Sequence, residues 1–392
     1  MFENANFVGH LLGNPFMASV DMLGTRTDKE NCVLIVTDYR IPVGYRAYIL
    51  NDSFPEVYAE NLSAYCPQAS ILYGLTGVDE LHQYDVIDVG SNGVIQILYN
   101  DQSSDNVLFI TNQCNSNCIM CPDSEYSRKL DILGQKEHLF KLIDLVPSDA
   151  PHLTITGGEP TLLKWDFLDV LAKCKNHFES TGFLLLSNGR SFCVKEYREA
   201  FLQVIPERLQ LAVPLYSHKS DKHDKITRAP QGFLQTTQAL KLLQYSLDLE
   251  IRVVIMRDNF RDLPEIAELI VKEFPKTKTV SFMGIELLGN AAIRRDELWV
   301  DYIDTAGFIE SAARILIASG IEARIYNYPL CGLPRRLWSL AVKSITEYKV
   351  RYKPECDQCA VKKLCGGFFF STIQYHKINV IPVLEEYVND KE

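Results

Sequence analysis

Apolar and polar residues alternate in two different ways along this chain. Up to about residue 100, apolar runs of strand length are bounded by turn residues such as Gly90 and Gly93. The runs are CVLIVTDY from Cys32, YRAYIL from Tyr45, YDVIDV from Tyr84 and VIQILY before Asn100. This spacing predicts a small β-rich domain over residues 1–102, with a role that the sequence leaves open.

From about residue 105, strand-length runs rich in β-branched residues alternate with amphipathic stretches such as DFLDVLAKCKNHF and LPEIAELIVKEF. The runs are NVLFITN (106–112), HLTITGG (152–158), FLLLSNG (183–189), RLQLAVPLY (208–216), IRVVIMRD (251–258) and TVSFMGIELL (279–288). Buried strands that alternate with helices form parallel βα units, the components of a full or partial barrel. The pattern predicts an α/β, TIM-like barrel over residues 103–300. Beyond it the alternation weakens, and we predict a separate C-terminal domain over residues 301–392.

Composition and charge narrow the classes of function. No apolar run approaches the roughly 18–20 residues that a membrane helix needs. The first residues lack the basic and apolar regions of a secretory signal, so we expect a cytoplasmic protein without a membrane partner. The net charge of −10 argues against nucleic acid as a partner, because phosphate binding needs a basic surface.

The cysteines are more informative than the charge. Eleven cysteines in a chain without a secretory signal indicate metal-binding or catalytic thiols rather than a disulfide framework. Seven of them fall into two groups. The other four are scattered, and we interpret them as core or surface thiols: Cys32, Cys66, Cys174 and Cys193.

The first group has the spacing C-x3-C-x2-C and consists of Cys114, Cys118 and Cys121, directly after the first predicted barrel strand. Loops that follow the strands are where parallel barrels carry their active sites. Three thiolates on a [4Fe–4S] cube leave one iron open for a further ligand. The alternative is a structural zinc ion with a fourth ligand such as His138 or His152.

The second predicted barrel strand ends in Gly157, Gly158, Glu159 and Pro160. Paired glycines let the backbone approach a ligand closely, and Glu159 offers an acceptor for an amino group. An ordinary Gly-Gly turn would also explain this segment by itself. Its position at the end of the strand next to the cysteine motif favours a shared site.

C-x3-C-x2-C followed by GGEP resembles the radical S-adenosylmethionine (SAM) superfamily. The resemblance implies a partial (β/α)6 barrel in which the three cysteines ligate a catalytic [4Fe–4S] cluster. It also implies that the open iron binds SAM, that the Gly-Gly-Glu segment holds its methionyl amino end, and that one electron cleaves SAM to a 5′-deoxyadenosyl radical. Met120 stands where many members carry an aromatic residue, which puts an adenine contact at this position in doubt.

Other candidates follow the later strands. Ser187 and Asn188 resemble the family's ribose-side loop, although Asn-Gly is also a common turn. Arg252 could meet the SAM carboxylate from inside the barrel or lie exposed at an edge, and Glu286 is a further candidate. The loop LYSHKSDKHDKIT carries His218, His223 and Asp224, which could move protons, although polar, lysine-rich loops are commonly solvated.

The second group has the spacing C-x24-C-x2-C-x5-C and supplies four thiolates, from Cys331, Cys356, Cys359 and Cys365. Structural zinc is one interpretation, because C-x2-C with two further cysteines is typical of zinc ribbons. Beside a radical SAM motif we favour an auxiliary [4Fe–4S] cluster, placed over the mouth of the barrel.

A narrower resemblance covers roughly residues 105–371, on PLYSHKSDKHDKIT, FMGIELLGNA and the stretch from YNYPLCGLP through SITEYK to PECDQCAVKKLCGGFFFS. These segments resemble the HxsC group of radical SAM maturases of the His-Xaa-Ser system. The resemblance implies a precursor peptide as substrate and a second radical SAM maturase as partner, and a cluster of low potential implies a flavodoxin or ferredoxin as reductant. A small-molecule substrate, an RNA substrate, and a non-catalytic, metal-stabilised partner of a second radical enzyme stay open as alternatives.

Overall fold

A computed structural model describes residues 7–37, 39, 41–75, 78–122, 136–343, 350–375 and 380–384. The SITEYK segment (344–349) and the polar residues after Leu384 therefore lie outside the described part of the chain. The described residues form two sheets of eight strands each and one sheet of two strands. None of their helices has both the length and the apolarity that crossing a membrane requires.

The first sheet lies in the N-terminal part of the chain. Its strands are β1 (Phe7–Val8), β2 (His10–Leu12), β3 (Phe16–Asp21), β4 (Cys32–Val36), β5 (Ala47–Asn51), β6 (Ser70–Leu75), β7 (Val86–Val89) and β8 (Val94–Tyr99). Helix α1 (Glu56–Tyr65) connects β5 to β6. Their order in the sheet is β1-β8-β7-β3-β4-β5-β6-β2. The neighbouring strands β3, β4, β5 and β6 run parallel to one another, and all the other neighbouring pairs are antiparallel.

Gly9 joins the two outermost strands of this sheet. Because β1 pairs with β8 and β2 pairs with β6, residues 7–12 close the sheet into a barrel. The Gly9 amide donates to the Gly93 carbonyl oxygen at 3.0 Å, and a Cβ on Gly93 would lie 1.9 Å from the Gly9 oxygen. Only glycine fits at position 93, where φ is also +74°. Closure removes the open sheet edges that promote association between chains.

The second sheet consists of parallel strands in sequence order. They are β9 (Asn106–Phe109), β10 (His152–Thr156), β11 (Gly182–Leu186), β12 (Leu209–Pro214), β13 (Asp248–Ile255), β14 (Thr279–Gly284), β15 (Glu322–Tyr326) and β16 (Ala341–Val342). The helices between them are α2 (Lys136–Leu145), α3 (Trp165–His177), α4 (Lys195–Val204), α5 (Ser220–Thr227), α6 (Gly232–Leu243), α7 (Leu263–Glu273), α8 (Gly289–Ile293), α9 (Arg295–Leu298) and α10 (Tyr302–Ala318). This arrangement is a curled α/β half-barrel.

Alternation along β13 shows how the half-barrel is built. Ile251 and Val253 are fully buried in the main apolar core, which the helices complete. Successive side chains of a strand point to opposite faces, so Glu250 and Arg252 lie on the other face, in the interior of the half-barrel. A polar interior beneath an apolar outer layer is suited to binding a charged ligand.

The half-barrel has more strands than the sequence indicates. Six strands are predicted over residues 103–300, and β15 and β16 extend the same parallel sheet beyond that range. EARIYNY was not assigned to the barrel, because its apolar run is short and follows the long helix α10. The sheet therefore continues into the range predicted as a separate C-terminal domain.

The remaining C-terminal elements are short. β17 (Val350–Arg351) and β18 (Phe368–Phe369) pair antiparallel, and α11 (Phe370–Tyr375) follows. The Leu287 amide donates to Ser371 Oγ at 3.2 Å, which attaches α11 to the loop after β14. At the other end of the fold, Met17, Val86 and Tyr99 of the N-terminal barrel pack into the same apolar core as the half-barrel.

Candidate active site

The three cysteines of the C-x3-C-x2-C motif lie in the loop after β9 and are half-buried. Burial raises the pKa of the Tyr216 phenol, and the thiols of all three cysteines raise it further by their negative charge. Tyr216 comes directly after β12 and is 8% exposed. The three thiols therefore lie near one buried phenol at the carboxyl ends of the parallel strands.

Gly157 and Gly158 let the loop after β10 pack against the start of the cysteine loop. The Gly158 amide donates to the Thr111 oxygen at 2.6 Å, and the Glu159 amide donates to the Gln113 oxygen at 2.8 Å. A Cβ on Gly157 would lie 2.2 Å from the Thr111 oxygen, and one on Gly158 would lie 2.3 Å from the Gln113 oxygen. The close approach that the sequence suggests for a ligand is thus made to the backbone that leads into Cys114.

The Glu159 carboxylate is fully buried and links the ends of β10 and β11. Its Oε1 atom accepts from the Thr161 amide and hydroxyl and from the Ser187 hydroxyl, at 3.1, 2.6 and 2.8 Å. Its Oε2 atom accepts from the Asn188 amide at 2.7 Å. Burial raises the pKa of Glu159, while these hydrogen bonds act to lower it. Most of its acceptor capacity is used inside the protein, and a contact with the amino group of SAM stays a prediction.

Backbone bonds from the C-terminal end of α5 hold the middle of the cysteine loop. The Asn117 amide donates to the Thr227 oxygen at 3.1 Å, and the Ile119 amide donates to the Ile226 oxygen at 2.9 Å. These two amides lie on either side of Cys118 in the sequence. The last turn of a helix leaves carbonyl oxygens unpaired, and here the cysteine loop satisfies them.

Asn290 of α8 also forms hydrogen bonds with the cysteine loop. Its backbone amide donates to the Cys121 oxygen at 2.9 Å. Its side-chain amide donates to Asn117 Oδ1 at 2.9 Å and to the Cys118 oxygen at 3.1 Å. One asparagine therefore contacts the backbone of two cysteines.

Asn188 and Arg190 connect the loop after β11 to the first part of the motif. Asn188 Nδ2 donates to Asn115 Oδ1 at 2.7 Å, and Arg190 Nη1 donates to the Asn115 oxygen at 2.7 Å. Asn188 and Ser187 thus lie beside the cysteine loop. Their side chains bond within the protein, and contacts with ribose stay predictions.

Arg252 lies in the half-barrel interior, close enough to Tyr216 for its charge to affect the phenol. Its Nε atom donates to Glu250 Oε1 at 2.8 Å, and within the described chain its Nη1 atom has no acceptor. Ser281, its register partner on β14, has a buried hydroxyl without a hydrogen-bond partner among the described residues. The guanidinium is therefore half-buried in the interior rather than at an exposed edge. Glu286 is half-buried after β14, and its backbone oxygen accepts from the Leu288 amide.

His223 is a packed residue. Its Nδ1 atom accepts from the Tyr216 amide at 3.3 Å, and its ring stacks on that of Tyr216 with centroids 5.7 Å apart. Burial lowers its pKa to about 4, so the ring is neutral at physiological pH. Asp224 accepts from the Phe233 amide at the start of α6. The histidine supports Tyr216, and the aspartate caps a helix.

The four C-terminal thiols also lie together, next to the carboxyl ends of β15 and β16. Burial raises the pKa of Cys331 to about 11, and the thiols of the other three cysteines contribute to the rise. Amides of Leu330 and Gly367 each donate to Cys365 Sγ at 3.3 Å, and the Val383 amide donates to Cys359 Sγ at 3.4 Å. Backbone amides therefore hold two of the four sulfur atoms in place.

The donor set at both sites is thiolate, which suits soft metal centres such as iron–sulfur clusters. Among the residues that the structure describes, no three His, Cys, Asp or Glu side chains are arranged as a site for a single metal ion. The proposed fourth ligands of a zinc ion lie elsewhere. His152 begins β10, at the opposite end of the sheet from the cysteine loop, and His138 lies near Asp88 of the N-terminal barrel.

Tyr216, Asn290 and Arg190 are site residues that sequence reasoning missed. The segments of Tyr216 and Asn290 carry the narrower resemblance, and Arg190 follows Ser187 and Asn188, but no pattern in the sequence assigns these three residues a role. The sheet topology brings them to the cysteine loop from positions up to 173 residues away. The one available signal is position, because each follows a predicted strand at its carboxyl end.

Comparison with known proteins agrees with this geometry. Residues 108–270 match the family model described as the Radical SAM superfamily, so this part of the chain is a radical SAM domain. The match spans β9 to α7 and includes the cysteine loop, the Gly-Gly-Glu segment and Tyr216. No curated protein matches the chain significantly.

Solved structures with similar folds have low sequence identity. SuiB of Streptococcus suis is 14% identical with a TM-score of 0.45, over 57% of this chain and 49% of its own. A radical SAM methyltransferase from Sphaerobacter thermophilus is 12% identical with a TM-score of 0.39, over 69% of this chain and 81% of its own. The chain thus spans about half the length of the SuiB structure. Likenesses of this strength carry no information about substrate.

Proposed function

We propose that this protein is a radical SAM enzyme that modifies a ribosomally synthesised peptide. One observation carries the proposal: Cys114, Cys118 and Cys121 share one half-buried loop at the carboxyl ends of a parallel half-barrel, near enough to the buried Tyr216 phenol for all three thiols to raise its pKa. When bound to these thiolates, a [4Fe–4S] cluster with SAM would supply a 5′-deoxyadenosyl radical that removes hydrogen from the substrate.

The chain's own residues hold and shield this centre. Ile119, Met120 and Tyr216 are each at least nine-tenths buried and restrict the access of water. Arg252 supplies a cation in the interior, and its Nη1 donor is available to a carboxylate. Asn290 and the end of α5 fix the cysteine backbone, so the thiols are oriented before a cluster is bound.

The peptide substrate rests on the resemblance to His-Xaa-Ser maturases and on the second thiol site. That site follows β15, so it lies at the same end of the sheet as the cysteine loop. An auxiliary [4Fe–4S] cluster there could take the electron left when a substrate radical closes into a bond, whereas zinc has no redox chemistry. A second radical SAM maturase remains part of the proposal as a partner.

Cluster-dependent SAM cleavage is the first test. We expect protein reconstituted without oxygen and reduced with dithionite to convert SAM to 5′-deoxyadenosine. Cys118→Ala should abolish this conversion, because the two remaining thiolates cannot hold a [4Fe–4S] cluster that needs three. Cys66→Ala, which changes a half-buried thiol of the N-terminal barrel, is the matched control. Stoichiometric zinc at the three motif cysteines of the purified protein would contradict the proposal.

The peptide is tested separately. A synthetic peptide with several His-Xaa-Ser repeats should accelerate 5′-deoxyadenosine formation and change in mass, whereas a scrambled peptide of equal composition should do neither. If SAM is cleaved but neither peptide affects the rate or changes in mass, the enzyme class stands and the substrate class is wrong.

A further inference from the structure

Helix α5 and the turn after it carry an excess of positive charge on an acidic protein. Lys219, Lys225 and Arg228 are exposed, and they form no ion pair within the described part of the chain. Lys222 is neutralised by Asp262 at 2.6 Å, and Asp221 is the exposed acidic residue of this segment. Half-buried Asp224 is the second acidic residue of the segment, so residues 219–228 carry four cationic and two acidic side chains on a chain whose net charge is −10.

The same helix touches the loop that carries the catalytic cysteines. Thr227 and Ile226, in its last turn, accept from the amides of Asn117 and Ile119, at 3.1 and 2.9 Å. A protein docked on α5 would therefore be separated from the thiol of Cys118 by little more than the helix end. Electron transfer between proteins becomes rapid only when the separation of the two centres is short.

We infer that α5 and Arg228, here called the basic surface, form the docking site for a small acidic electron-donor protein. The inference rests on the proposed function, because reductive cleavage of SAM consumes one electron that must come from outside. The donor loses this electron, the cluster site gains it, and no bond forms or breaks at the basic surface. Opposite charge on the two partners steers their encounter and fixes their orientation.

Charge reversal tests the basic surface. In Lys219→Glu/Lys225→Glu, Arg228 is retained so that the left-handed turn after α5, with φ of +49° at this residue, is left unaltered. We expect the Kd for an acidic flavodoxin, measured by titration calorimetry on the reconstituted enzyme, to rise at least about tenfold. The KM for reduced flavodoxin in 5′-deoxyadenosine formation should rise by a similar factor. The rate with dithionite, which needs no docking site, should stay the same.

Two further variants sharpen the test. Lys272→Glu/Lys276→Glu makes the same charge change at exposed positions near the end of α7, before β14 and thus at the opposite end of the half-barrel. Its Kd should change less than about twofold, because the distance exceeds the ~8–10 Å screening length of ordinary buffers. Asp221→Lys removes the exposed acidic residue and should lower the Kd.

The outcomes separate the two claims. Equal weakening by both double variants, no weakening by the Lys219 and Lys225 pair, or no binding to wild type overturns the docking inference. Binding does not depend on turnover, so it decides the inference even if no SAM is cleaved. An absence of 5′-deoxyadenosine with dithionite in the wild type overturns the proposed function instead.

Discussion

At the scale of single residues, the site depends on side chains that position others. Glu159 accepts four hydrogen bonds at the ends of β10 and β11, and Asn290 contacts the backbone of Cys118 and Cys121. Neither side chain needs to touch a reacting atom to matter. Asn290 fixes the geometry of the cysteine loop, and Glu159 links the loops after β10 and β11 that lie beside it.

Glu159→Gln tests this positioning role. A glutamine has the shape of the carboxylate but turns an NH2 group toward one of its donors, which leaves buried polar groups unpaired. We expect the free energy of unfolding to fall by about 2–3 kcal/mol. Urea titration measures the change, and exposed Glu207→Gln is the control. If both variants unfold at the same urea concentration as the wild type, Glu159 does not link the two strands.

His223 makes a pH-dependent contribution to stability. Burial lowers its pKa from 6.5 to about 4, so the unfolded chain takes up a proton at a higher pH than the folded chain does. This contribution is complete above pH 6.5 and is lost as the pH falls toward 4, by about 3 kcal/mol. His223→Asn keeps an acceptor for the Tyr216 amide without titrating. The gap in unfolding free energy between the two proteins should narrow from pH 7 to pH 4, and a constant gap would contradict the assignment.

At the scale of elements, the paired glycines explain why the loop after β10 can contact the loop after β9. The contact is between backbones, so it tolerates no Cβ at either position. The Gly-Gly-Glu segment therefore holds the start of the cysteine loop in position, in addition to any contact that it makes with a ligand.

Gly158→Ala should separate the two loops. Its Cβ would lie 2.3 Å from the Gln113 oxygen, a backbone atom that cannot rotate away. We expect iron bound at Cys114, Cys118 and Cys121 to fall by at least half, while iron at the C-terminal thiols is retained. Gly307→Ala in α10 is the control, since a Cβ there meets nothing within 4 Å and alanine should stabilise the helix by up to about 1 kcal/mol. Equal iron contents in the two variants would show that the loops adapt.

Sequence patterns predicted these elements unequally. The six central strands stand out because each combines an apolar run with a following helix. β3 was missed because FMASVD is buried on both faces and includes Ser19 and Asp21, so it shows neither alternation nor a fully apolar run. The cysteines and Gly-Gly-Glu were recognisable because each motif is contiguous. Tyr216 and Asn290 were not, because only the parallel topology brings them to the motif.

At the scale of the whole molecule, two groups of thiols share one end of the half-barrel, and iron counting tests what they bind. If both hold four-iron cubes, reconstituted wild type should contain about eight irons per chain. Replacing Cys114, Cys118 and Cys121 together by alanine should leave roughly half of that iron, because the C-terminal thiols form a separate site. Zinc in place of iron in the triple variant would make the C-terminal site structural and would remove its redox role.

The closure of the N-terminal barrel at Gly9 limits the insertions and deletions that residues 7–12 can accept. Residues 7–8 pair on one side and residues 10–12 on the other, with a single residue between the two pairings. If either strand shifted its pairing by one residue, its side chains would turn to the opposite face of the sheet. Because a single residue joins the two strands, the other strand would have to shift with it. The two pairings therefore fix each other's register. An insertion or deletion between Val8 and His10 would break one of the two pairings and open the barrel. Relatives that keep this barrel should therefore keep the single residue between the two paired strands.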